Sequence, residues 1–143
     1  MPDTRADATA IFHICTRIAF TAARAAGAYR AESLAREGFI HLSRAHQVLP
    51  TARAYFQGVP DLVLLVIDPG LLTSRLVYEA PAPLPTPDAN TAKPPSSDTY
   101  PHCYGPIDLA AIVDVIDLAQ FDGSPVNAKT VAMWRHEQRS RTR

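Results

Sequence analysis

The chain has 143 residues, of which 47% are hydrophobic and 20% charged, and its formal net charge is +0. That length supports one domain with its own core, and the balance excludes wholesale disorder and any global pull toward nucleic acid or an anionic membrane. No apolar run reaches the about eighteen residues of a membrane helix, and MPDTRADATAIF lacks a basic start leading into an apolar stretch, so no span, no secretory signal and a cytoplasmic location are expected.

AIFHICT, Ala10 to Thr16, has the apolar, β-branched content of a first strand. RIAFTAARAA, Arg17 to Ala26, is rich in helix formers, and Gly27 stands where a helix C-cap belongs. Tyr29 to Gly38 reads as a polar connector with a helical turn at SLARE. FIHLS follows as a strand, with Ile40 and Leu42 on one face and Phe39, His41 and Ser43 on the other. Ser43 is expected to cap the next helix, and Pro50 with Thr51 to break that helix into two turns. DLVLLVIDP, Asp61 to Pro69, reads as a central strand covered on both sides. RLVYEA alternates, with Leu76 and Tyr78 opposed to Val77 and Glu79.

Composition changes abruptly at residues 81–101, where most of the prolines gather with Ser, Thr, Asp and Asn, and this stretch is expected to be a loop or tether. Order returns with a Gly105-Pro106 turn and an apolar strand near Ile112 to Leu118. The basic stretch from Lys129 to Arg143 reads as a terminal helix packed through Val131 and Trp134, or as a tail. Its arginines, Arg135, Arg139, Arg141 and Arg143, offer contact with RNA, but a solvated terminus is the favoured reading. The expected organisation is a domain over residues 10–122 carrying the 81–101 insert, with a basic extension over 123–143. The element order is that of an α+β fold, and no GxGxxG or GxxxxGK[ST] marks a nucleotide loop of the Rossmann or P-loop kind.

Three segments interrupt apolar strands with polar groups: IFHICT with His13, FIHLS with His41 and Ser43, and PHCYG with His102 and Tyr104. If the strands are neighbours, these groups converge on one site. Each also has a plain reading as a hydrogen-bonded core or edge residue. His46 and His136 read as surface groups. Cys15 and Cys103 form no CxxC pair and read as packing residues, although each lies close to a histidine.

IFHICT, GAYRAESLAREGFIHLS, QVLPTARAYFQGVPDLVLLVID, LVYE and YPHCYGPIDLAAIV together resemble the DUF952 family of small, mostly bacterial, uncharacterised proteins, over about residues 10 to 120. Two features depart from the family pattern: Phe20 stands where tryptophan is typical, and the loop before PHCYG is expanded. The resemblance implies an ADP-ribosyltransferase-like fold with a mixed twisted sheet and a few helices, closest to the RNA 2′-phosphotransferase branch. It further implies that His13 holds one end of NAD while His41 and Ser43 flank the nicotinamide ribose. Ile14 occupies the place of that branch's glycine. Glu79 is the nearest match for a catalytic acid, and Arg17, Arg30 and Arg44 are the available arginines.

The expected function is therefore binding of NAD or an ADP-ribose-like nucleotide through His13, His41, Ser43, His102 and Tyr104, with His41 and Glu79 catalytic in ADP-ribosyl transfer or NAD cleavage. A non-catalytic binding or interaction module on the same scaffold is the alternative. Metal-assisted hydrolysis through His13, His41, His102 and Cys103 comes third, since no helical HExxH or clustered ligand spacing supports a metal.

Overall fold

The computed structural model describes residues 9–80 and 99–131. Among the described residues the named elements run in the order β1 (Ile11–Thr16), α1 (Arg17–Ala26), β2 (Ala28–Tyr29), α2 (Glu32–Glu37), β3 (Ile40–His41), α3 (Ala45–Tyr55), β4 (Leu62–Ile67), β5 (Arg75–Glu79), β6 (Tyr100–Tyr104), β7 (Ile107–Asp108) and β8 (Ile112–Asp117). A further helical segment opens at 128, where Asn127 Oδ1 accepts the Thr130 N–H.

The strands order as β1-β4-β8, β3-β6-β5 and β2-β7. The α+β class is observed. The mixed sheet is not: every ladder between the named strands is antiparallel.

The two three-stranded sheets are stitched together where Phe12 and Ser43 exchange backbone hydrogen bonds of 2.8 Å in both directions. Ile11, Cys15, Val63, Leu65 and Ile67 face Ile40, Leu42 and Cys103 across the first core. Phe12, Ile14, Leu64 and Val66 face the opposite way, onto Ala45 and Val48 of α3 and onto Phe121 and Ala128. β4 is thus covered on both faces, as its unbroken apolar run requires, and each of its buried side chains contributes roughly 1.5–3 kcal/mol by leaving water. Among the described residues, no such layer lies over the outer face of β3-β6-β5.

Local chemistry explains the helix boundaries. Thr16 Oγ1 accepts the Ala19 N–H at 3.1 Å to start α1, and Gly27 closes it at φ 93°. α2 ends on Gly38 at φ 88°, which turns the chain sharply into β3. α3 differs from expectation in two ways. Its N-cap is Arg44 rather than Ser43, because Ser43 is committed to Phe12, and this places Gln47 correctly to accept the Arg44 N–H at 2.9 Å. Pro50 lies inside α3 without breaking it; the position is exposed, so water can satisfy the carbonyl left without an N–H partner.

Tyr100 and Pro101 belong to β6 rather than to the proline-rich stretch, since Tyr100 pairs with Glu79 and Pro101 with Tyr78. Residues 81–98 and 132–143 lie outside the described residues, and with them most of the insert and the readings made of Trp134, Arg135, His136, Arg139, Arg141 and Arg143. No described helix is long and apolar enough to cross a membrane.

Candidate functional site

FIHLS sends its histidine and its serine to different places. The β3–β6 register runs to His41, a last backbone bond joins the Leu42 N–H to the Pro101 carbonyl at 3.0 Å, and the chain then crosses to β1, where Ser43 is buried at 6% exposure against Phe12. Ile40 and Leu42 point into the core, so the His41 side chain emerges on the outer face of the sheet. The register sets His41 beside His102, His102 beside Val77, and Glu79 beside Tyr100. The two-residue alternation then brings Phe39, Tyr104, Arg75 and Glu79 onto that same face.

On this face the rings form one cluster. Phe39 stacks on His102 with centroids 4.3 Å apart and meets His41 edge-on at 4.8 Å, while His41 and His102 lie 5.5 Å apart. Each imidazole donates an N–H hydrogen bond to a carboxylate: His41 Nε2–H to Glu37 Oε2 at 2.9 Å, and His102 Nδ1–H to Glu79 Oε1 at 2.8 Å. Tyr104 O–H also donates to Glu79 Oε1. Those two donors, Tyr104 first, hold the Glu79 carboxyl below its ordinary range, with a smaller contribution from Arg75. The same contact raises the Tyr104 phenol. Burial lowers the His102 pKa against the raising effect of Glu79, which keeps a neutral imidazole beside an ionised acid.

His13 does not join this cluster. It shares a β1 face with Ile11 and Cys15, inside the core, and its Nδ1–H donates to the His41 carbonyl at 2.7 Å. Its Nε2 accepts the Tyr29 O–H at 2.9 Å. Burial is the main reason its pKa falls to about 4. The ring thus ties β1 to β3 next to the Phe12–Ser43 bridge. Tyr29 in turn is bonded to the Cys15 thiol, whose burial raises its pKa to about 11. Cys103 is fully buried with its thiol directed at the Gly105 carbonyl, so both cysteines are unreactive packing groups. Among the described residues no group of three or more His, Cys, Asp or Glu side chains is placed to hold a metal ion.

Of the residues singled out in the sequence, the structure brings His41, His102, Tyr104 and Glu79 together and leaves His13 and Ser43 behind the sheet. Sequence reasoning missed Glu37. Its signal was the glycine after SLARE, because a left-handed Gly38 folds the acid back over the strand it precedes. A cavity of ≈ 830 Å³ lies elsewhere and is lined by none of the six predicted residues. The cluster is an open face, where His41, Glu79 and Tyr104 keep partly exposed side chains and His102, 2% exposed, supports them from beneath.

Fold and site together define a small α+β domain of packed antiparallel sheets that carries two histidine–carboxylate pairs on the outer face of one of them. The sequence model of the family described as "Protein of unknown function (DUF952)" matches residues 14–115, and the chain belongs to that family. It is similar to protein CC0527 from Caulobacter crescentus. The crystal structure of CC0527 has a TM-score of 0.63 at 29% identity, covering 87% of this chain and 99% of that one. A double mutant of CC0527 superposes with the same TM-score at 28% identity, with 87% and 99% covered. The CC0527 solution structure has a TM-score of 0.57 at 29% identity, covering 76% and 84%. No curated protein matches the chain.

Proposed function

We propose that the outer face of β3, β6 and β5 binds NAD or an ADP-ribose-like nucleotide on an ADP-ribosyltransferase-like scaffold, with Glu79 supporting ADP-ribosyl transfer or NAD cleavage. One observation carries this reading. The Glu79 carboxylate is oriented through Oε1 by His102 and Tyr104, while Oε2 has no protein partner among the described residues. An ionised carboxylate with one oxygen fixed and the other open is a preset negative charge. In NAD cleavage the glycosidic electron pair leaves with neutral nicotinamide, and positive charge passes to the ribose. Glu79 meets that charge, and its lowered pKa suits it to electrostatic stabilisation more than to general-base work.

The other residues divide into two sets. His41 and Tyr104, partly exposed, contact the ligand. His102 and His13 are positioning residues: His102 holds Glu79, and His13 holds the His41 backbone. Ser43 fixes the strand crossing behind them.

Calorimetry with NAD and with ADP-ribose tests the binding. Saturable heat that falls roughly tenfold or more in affinity in Glu79→Gln and in His41→Ala supports it. No heat at millimolar ligand, or affinity unchanged in both variants, overturns it. The openness of the face favours a second reading, binding without transfer, which predicts the same calorimetry and no nicotinamide release on long incubation.

A further inference from the structure

We propose that the ≈ 830 Å³ cavity between the start of α3, the turn after β4 and the inner face of β5 is a separate binding site, for a small molecule with an apolar body and one acidic head group. The volume is that of a drug-sized ligand site, where an apolar lining carries a few placed polar groups. Ile11, Leu71 and Leu76 supply apolar wall. Leu71 is 49% exposed, although a side chain of its size gains by burial.

The charges at the cavity are unbalanced. Arg44 donates through Nε to the Thr99 carbonyl at 3.2 Å and through Nη2 to the Thr99 hydroxyl at 2.8 Å, and its guanidinium lies 4.6 Å from the Tyr78 ring centroid. Those partners fix its direction without neutralising it. Lys129, also in the wall, has no ion pair among the described residues. Asp68 is the acid in the lining; it is 6% exposed and its Oδ1 accepts the Gly70 N–H at 2.9 Å within its own turn. Two cations that no carboxylate pairs with among the described residues favour an anionic head, and the buried Asp68 disfavours a second one. A monoanion with an apolar body meets both conditions. The site is independent of the nucleotide reading, since His41, His102, Tyr104 and Glu79 take no part in it.

The test uses the full chain, 15N-labelled, titrated with 8-anilinonaphthalene-1-sulfonate as an apolar monoanion and with N-phenyl-1-naphthylamine as its neutral counterpart. The expected result is saturable one-site binding with amide shifts at Gly70, Leu71, Leu76 and Gly123. Affinity for the sulfonate should drop roughly fivefold in Lys129→Glu and fall with salt. Leu71→Trp, which places a larger side chain at an exposed wall position, should block both probes. Shifts located away from these residues, non-saturating binding, or equal affinity for the two probes overturns the proposal. Displacement of the sulfonate by ADP-ribose also overturns it, because the two sites would then be one. Failure of ADP-ribose to bind at all bears on the nucleotide reading alone.

Discussion

Two histidines meet at a single peptide group and serve opposite ends. The His41 carbonyl accepts the His13 imidazole from the core side, while the His41 side chain leaves on the other side of the sheet. His13 has both ring nitrogens engaged and a pKa near 4, as befits a neutral buried tie between β1, β2 and β3. His41 and His102 each give one N–H to a carboxylate and have their second nitrogen unpartnered among the described residues. Residue type decides little here. What decides is the side of the strand on which the side chain emerges, because that sets whether its polar atoms are spent on the fold or left for a ligand.

The sharpest test of this contrast removes that tie. His13→Ala loses two buried hydrogen bonds and opens a cavity, so urea unfolding should give a loss of roughly 2–4 kcal/mol. A cost near zero would mean that β1 and β3 hold together without it.

Acid is a milder probe of the same group. The unfolded chain takes up a proton at a pKa of 6.5 that folded His13 refuses until about 4. The unfolded state therefore binds more protons across that window, and stability rises with pH through it. The full contribution is present above 6.5 and gone below 4, and it amounts to at most about 3 kcal/mol. Urea midpoints at several pH values should show this slope in the native chain and a flatter one in His13→Gln; equal slopes would remove His13 as the cause.

Tyr29→Phe keeps the ring and deletes the donor to His13 Nε2. A loss of about 1–2 kcal/mol is expected, together with a change in the His13 titration followed by NMR. At the small end stands His41→Ala, whose outer-face pair with Glu37 is partly solvated, and about 1 kcal/mol or less should be lost. If His41→Ala proved as damaging as His13→Ala, the division between fold-bearing and ligand-facing histidines would fail.

The long elements were legible in sequence because periodicity needs length to register. β1, α1 and β4 have six or more residues each and lie where the apolar pattern put them. β2 and β7 have two residues each, too few to carry a period, and they exist because they pair with each other. FIHLS misled for a related reason. Alternation placed Phe39 and His41 on one face correctly, but it assumed a strand that keeps one partner. The change of partner after His41, from β6 to β1, buried Ser43. His13 was correctly singled out as unusual, yet nothing local to IFHICT says that a distant carbonyl and a phenol wait for it. Glu79 was legible as the nearest acid, but its two donors come from a strand more than twenty residues away, and only the register of β5 on β6 brings them together.

Thr99 sits where the chain re-enters the sheet after the proline-rich stretch. Its carbonyl receives both Arg44 Nε and Gln47 Nε2, the latter at 2.9 Å, and its hydroxyl receives Arg44 Nη2. Three bonds from one helix cap moor that re-entry point, and the β5–β6 ladder fixes the departure point. Residues can therefore be added or lost between 80 and 99 without shifting Glu79 against His102, at an entropic cost that grows only with the logarithm of the added length. The length of this connection is thereby uncoupled from the geometry of the strands it joins, because the mooring lies outside it.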